Sequence, residues 1–284
     1  MLSLGLDRSH RPVRAAVVNE GGEVLARAAG ADDAEAIGLV TQPRAVKIAG
    51  IAMFQDDKAK AAISGVGTVT RCTPGAAAIA AESWIGAARG ARHAICLWVG
   101  DHVFAGLLLD GRPWSGAHGR AGAAGWLALN PVERQDYRKR GSLAAEISAK
   151  GIARRLSWRI QAGDASAVLD RAGGSLDAIT AELVFDGARA GDGVAISVTR
   201  DTAKYIGMAA ATLAATLDPE VIVIAGSVAS TSADVMLELV RQECMRRLPP
   251  DAMADLRVEF STLGPEAIAI GAARLALLAK SAPQ

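Results

Sequence analysis

Leu2, Leu4 and Leu6 alternate with the small residues Ser3 and Gly5, and two more short apolar segments follow at 13–18 and 23–28. A polar loop at 7–12 separates the first two, and Glu20-Gly21-Gly22 separates the second and third. Short segments of this kind, bounded by turn residues, predict strand, loop, strand, tight turn, strand, with the Gly pair after an acidic residue as the hairpin signal. Residues 94–114 repeat the plan: a strand at 94–99, a loop at Gly100-Asp101-His102, a strand at 103–109, a turn at Asp110-Gly111 and a short third strand. The repetition predicts an internal duplication in which each half opens with a three-stranded meander.

Behind each meander the pattern changes to alternating helices and strands. Residues 76–88, 143–155, 176–188, 195–217 and 268–279 predict helices, and 45–53 and 221–225 predict short buried strands. The last helix is expected to return and brace the first domain. A chain of 284 residues with 51% hydrophobic content is large enough for two cores. With 31 basic and 30 acidic residues the formal net charge is +1, so no field attracts nucleic acid or an anionic membrane, and neither is expected as a partner. Cys72, Cys96 and Cys244 are far apart and form no CxxC pair, which disfavours a disulfide framework and a cysteine metal site. Asp218 and Pro219 divide the richest apolar stretch, and the chain opens on a strand rather than a basic leader, so a cytoplasmic protein is expected.

The run from Cys72 to Gly90 resembles the active-site helix of the ROK family (repressors, open reading frames and sugar kinases), in which Asn-Asp-Ala-Asn-Ala-Ala-Ala-Leu-Ala-Glu is followed by two aromatics and Gly-Ala-Ala-Arg-Gly. Glu82, Trp84, Gly86, Ala87, Ala88, Arg89 and Gly90 match it. Further similarities are Leu217 to Val228, close to the family strand that ends in a turn beside adenosine, Ile179 to Phe185 with Ala190-Gly191-Asp192, Ala267 to Ala273, and the turn Trp114 to Gly122. The resemblance covers nearly the whole chain. It implies an α/β, actin/hexokinase-like fold: two ribonuclease-H-like domains, 1–91 plus 265–284 and 92–264, with nucleotide held in a central cleft.

The departures from the family pattern fall on the chemistry. Counting back from Glu82, the family's Asn and its catalytic Asp coincide with Thr73 and Pro74. The first phosphate loop, Asp-x-Gly-Gly-Thr in active relatives, reads Asp7-Arg8-Ser9-His10-Arg11, and the second reads Gly100-Asp101-His102-Val103-Phe104-Ala105-Gly106. Glycines in such loops let backbone N–H groups approach phosphate, and a carboxylate at Asp101 repels it. The hydroxyl-binding Glu and zinc-ligating His of the family are replaced in Ala123-Ala124-Gly125-Trp126, and Lys139 to Ala144 carries no zinc thiolate.

These changes lead to the expectation of a catalytically degenerate sugar-kinase homologue, a pseudokinase-like homodimer that binds a small ligand, such as a sugar or sugar derivative, or a partner. No catalytic residue and no metal ligand is assigned. Asp7, Gly100, Asp101, Gly226 and Ser227 are the vestigial nucleotide-binding set, and no cofactor is expected. The alternative is an active ATP- and magnesium-dependent hexose or amino-sugar kinase whose base has moved to Asp101 or Asp57. A repressor is disfavoured by the near-neutral charge.

Several residues have plainer readings beside the functional ones. Asp7 is read as a turn cap, His10, His102 and His118 as solvated loop residues, Asp56 and Asp57 as a solvated turn, and Arg138-Lys139-Arg140 as an exposed loop. Trp84, Trp98, Trp114 and Trp126 are read as core or interface aromatics, with Trp126 a candidate to fill the vacated metal position. Glu82 and Arg89 are read as packing and pairing residues of one helix.

Overall fold

The computed structural model describes residues 1–42, 45–54, 63, 66–129 and 131–281. Along the chain run β1 (Leu2–Asp7), β2 (Val13–Asn19), β3 (Val24–Gly30), α1 (Asp33–Thr41), β4 (Ile48–Ala52), β5 (Thr68–Cys72) and α2 (Pro74–Ile85). The second meander follows as β6 (Ala94–Val99), β7 (Val103–Leu109) and β8 (Arg112–Trp114). Helices α3 (Gln135–Arg140), α4 (Ser142–Ile147), α5 (Ala149–Gln161), α6 (Val168–Arg171), α7 (Ala181–Arg189) and α8 (Gly193–Leu217) then precede β9 (Val221–Ala225). The chain ends with α9 (Ser227–Met245), α10 (Pro250–Asp255), β10 (Arg257–Phe260) and α11 (Ala267–Ser281).

The first sheet has the order β3-β2-β1-β4-β5, antiparallel across the meander and parallel from β1 to β4 and from β4 to β5. The second has the order β10-β9-β6-β7-β8, the same plan with β6 in the place of β1. The duplicated meander is therefore present, and its copies nucleate sheets of one topology. By compactness the chain divides into one unit of Met1–Cys96, Ala105–Gly122 and Ser261–Gln284 and another of Leu97–Phe104 and Ala123–Phe260.

In the first unit, β1 and β4 are almost wholly buried, and α11 packs against β1, β4 and α2. Small residues make this approach possible. A methyl on Gly5 would fall on the Ala269 carbonyl oxygen, one on Gly50 on that of Ala272, and one on Gly271 on that of Ala77. Ser3 donates to the Ala273 carbonyl at 2.9 Å, so the one hydroxyl on the inner strand is satisfied by the helix that covers it. The returning helix thus braces the first unit.

Two predicted helices are broken. Residues 143–155 are divided at Ser148, which is extended and whose side chain accepts from Gly151 N, so it caps α5 rather than continuing α4. Residues 176–188 begin as a short 3-10 turn, and α7 starts only after Thr180, whose hydroxyl accepts from Leu183 N. Helix α2 starts two residues before the predicted position, because Thr73 caps it and Pro74 fits its first turn. No helix among the described residues is long and apolar enough to cross a membrane.

Candidate functional site

In the first unit Asp7 ends β1 with its side chain fully buried. Its Oδ1 accepts from the Ser9 backbone N–H at 2.8 Å and from the Ser9 hydroxyl, and Oδ2 lies 3.2 Å from His10 Nδ1. The side chains that replace the loop glycines are therefore the groups that satisfy the carboxylate. His10 is largely buried beside Asp7. Arg8 turns away to pair with Asp33.

Strand register brings the start of α2 to the same edge. Asp7 stands opposite Ala52 on β4, and Ala52 opposite Cys72 on β5, whose next residue, Thr73, caps α2. Burial, and then the charge of Asp7, pushes the Cys72 thiol up to about 12. The helix start that the family resemblance makes catalytic is occupied here by a cap and an imino acid. The Thr73 hydroxyl accepts from Ala76 N at 3.2 Å, and Pro74 offers neither donor nor carboxylate.

Glu82, eight residues further on and fully buried, accepts from the Ser261 hydroxyl and from Ala87 N at 3.0 Å. Burial pushes its carboxyl above the ordinary range while both hydrogen bonds oppose the shift. Arg89 lies beyond the helix end and is exposed, so the two do not act together on one helix. Glu82 instead ties the end of α2 to the segment leading into α11.

In the second unit Gly100, Gly226 and Ser227 come together. Gly226 precedes α9 at φ 98°, where a Cβ would strike the Val99 carbonyl, so only glycine fits. A methyl on Gly100 would stand 3.0 Å from Ser227 Oγ. No side chain caps α9, so the first-turn N–H groups of this helix are free to meet an anion. The start of α9 fits a phosphate group. The loop after Asp7 does not, because two of its positions carry side chains hydrogen-bonded to the carboxylate. Asp101 and His102 are exposed in the turn between β6 and β7.

The other candidates are scattered. His118 is exposed in the loop after β8. Trp98 is buried and stacked on Phe104 at 5.9 Å, and Trp84 carries the Arg274 guanidinium over its ring at 4.6 Å. Trp126 is 59% exposed and Trp114 48%, so neither is a core residue. Arg138-Lys139-Arg140 is exposed but helical, in α3, with Arg138 bidentate to Glu133. Asp56 and Asp57 lie outside the described residues.

Sequence reasoning missed a cavity of about 540 Å³ in the second unit, lined by Glu146, Arg155, Trp158 and Tyr205 among others. Its residues come from α4, α5, α8 and neighbouring loops and share no motif, so no local signal pointed to it.

The profile of the ROK family matches residues 69–279, and the chain belongs to that family. It is 33% identical over 195 residues to a glucokinase of Halalkalibacterium halodurans, covering 67% of this chain and 58% of that protein. It is also 33% identical over 198 residues to the bifunctional enzyme NanE/NanK of Brucella suis biovar 1, covering 69% of this chain and 32% of that protein. The match thus spans less than two thirds of the length of these curated relatives. A solved ROK family glucokinase from Streptomyces griseus, in complex with glucose and AMPPNP, superposes with a TM-score of 0.83 at 23% identity, covering 98% of this chain and 100% of that one. The fold is the actin/hexokinase-like α/β fold of the ROK sugar kinases. These relatives overturn the expectation that no cofactor is involved: the Halalkalibacterium halodurans protein and the solved Streptomyces griseus one are named glucokinases, and the solved one holds AMPPNP, an ATP analogue. Side chains in the two phosphate loops and the loss of the family carboxylate at Pro74 do not exclude nucleotide, since α9 retains an uncapped N-terminus led by Gly226.

Proposed function

We propose that the protein is an ATP- and magnesium-dependent sugar kinase acting on a hexose or amino sugar, slowed by the absence of a carboxylate at position 74. The observation that carries the reading is the 33% identity over 195 residues to a glucokinase. The uncapped start of α9, led by Gly226 and faced by Gly100, supports it as a place to hold phosphate. Phosphoryl transfer relies chiefly on positioning and charge stabilisation, so loss of a base slows it without abolishing it. Asp101 is the described carboxylate that would serve as a relocated base. A homodimer and a cytoplasmic setting belong to the same reading.

A second reading, ligand binding without turnover, is favoured by one observation: Thr73 and Pro74 are built into the helix start as cap and first-turn residue. ADP release from magnesium-ATP over a panel of hexoses and amino sugars separates the two. Sugar-dependent ADP release supports the kinase, and its loss in Asp101→Asn identifies the base. Neither ADP release nor a rise in melting temperature at millimolar magnesium-ATP would sink the kinase reading.

A further inference from the structure

The cavity in the second unit is built from cations and aromatic surface, and none of Asp7, Gly100, Asp101, Gly226 and Ser227 lines it. Its volume, about 540 Å³, lies within the range of roughly 300–1,000 Å³ typical of small-molecule sites. Arg134, Arg155, Arg159, Lys204 and Arg247 line it against only two carboxylates, Glu146 and Asp201. Partners outside the lining neutralise two of the cations: Arg159 pairs with Asp164, and Arg247 with Glu243 at 2.7 Å. Three cations then remain against two carboxylates.

The excess has a location. Glu146 is buried and already accepts from the Tyr137 hydroxyl, with Arg134 at 3.5 Å. Its nearest approach to Arg155 Nε is 3.7 Å, beyond hydrogen-bond reach. Arg155 donates from Nη2 to Thr202, but its buried Nε has no hydrogen-bond partner among the described residues. A buried guanidinium N–H left unpaired is costly, which makes this edge of Arg155 a donor prepared for an acceptor. Lys204, one α8 turn from Asp201, is exposed and forms no ion pair among the described residues. Beside these donors stand the Tyr205 ring and the Trp158 indole, 44% exposed, over which Arg154 sits at 4.6 Å from the ring centroid.

We infer that this cavity is a second ligand site, separate from the proposed phosphoryl-transfer site, which takes a small phosphate monoester with a planar or apolar body. The phosphate oxygens meet Lys204 and the Arg155 guanidinium, whose covered Nε turns toward the ligand on binding, and a guanidinium edge with an ammonium suits a dianion. The body lies along Trp158 and Tyr205.

Isothermal titration with phenyl phosphate, inorganic phosphate and phenol, each with and without saturating magnesium-AMPPNP, tests the inference. Phenyl phosphate is expected to bind at one site per chain, at least about tenfold more tightly than inorganic phosphate, with phenol not binding. Lys204→Glu, at an exposed position that folding tolerates, is expected to weaken phenyl phosphate about tenfold or more. Trp158→Ala is expected to remove the advantage of phenyl phosphate over inorganic phosphate. Absence of heat at millimolar phenyl phosphate, indifference to Lys204→Glu, or displacement by magnesium-AMPPNP would each overturn the inference. The last outcome would leave the kinase reading standing.

Discussion

Replacing Thr73 by Asn and Pro74 by Asp puts back, at the start of α2, the pair that ROK kinases resemble one another in carrying, and the local geometry accommodates it. Thr73 contributes a cap, accepting from Ala76 N at 3.2 Å, and Asn caps a helix at least as well as Thr. Pro74 holds the first position of a 12-residue helix. A carboxylate there gains about 0.3–1 kcal/mol from the positive helix end, and loss of the proline ring costs about 0.4–1 kcal/mol through the unfolded chain. The two offset. Position 74 is buried, which raises the pKa of the new carboxyl toward the range a general base needs. Such a base contributes about 10²- to 10⁴-fold, equivalent to about 2.7–5.4 kcal/mol of barrier. The assay is ADP release with saturating sugar, comparing Thr73→Asn/Pro74→Asp with Thr73→Asn/Pro74→Asn, which keeps the cap and the loss of proline but lacks the carboxylate. The aspartate variant should exceed the asparagine variant by about 10² or more in kcat. Equal rates would refute the reasoning and move the proton acceptor away from α2.

Three further outcomes follow from the packing. Folded Glu82 keeps its proton to higher pH than the unfolded chain does, so between those two values the native state binds more protons and stability falls as pH rises; urea midpoints of Glu82→Gln should gain on wild type from pH 5 to pH 8, and a constant difference would exclude this linkage. Cys72 and Cys244, pushed up to about 12 and about 11 by burial, should resist iodoacetamide at pH 8 in the native protein and react on unfolding; rapid native labelling at either would contradict their environments. Gly271→Ala should destabilise by about 1–3 kcal/mol or more through overlap with the Ala77 carbonyl, read as a lower urea midpoint with an unchanged slope, and an unchanged midpoint would show that α2 and α11 can separate at no cost.

Much of the architecture was legible locally. Short apolar segments with turn residues between them mark both meanders, alternating at Leu2, Leu4 and Leu6 and continuous at 94–99 and 103–109 where the strands are buried. Helix α8 and strands β6, β7 and β9 fall where the apolar pattern put them, to within two residues. The exchange of Asn-Asp for Thr73-Pro74 was visible as residue identities alone. Its consequence needed the helix start, where those two residues serve the fold.

Other features depended on contacts between distant residues. The division of 143–155 at Ser148 is held by a local cap and by Ala149 N, which donates to the distant Gly100 carbonyl at 2.9 Å. Glu82 and Ser261, 179 residues apart, form one partly buried hydrogen bond. Which tryptophans are covered and which meet water is likewise not written in their neighbours. The unpaired Arg155 edge and Lys204 share a cavity only because α5 and α8 pack side by side. Periodicity and capping act over a few residues and can be read along a chain; pairing, burial and the field at a charged group depend on distances in space, which folding alone sets.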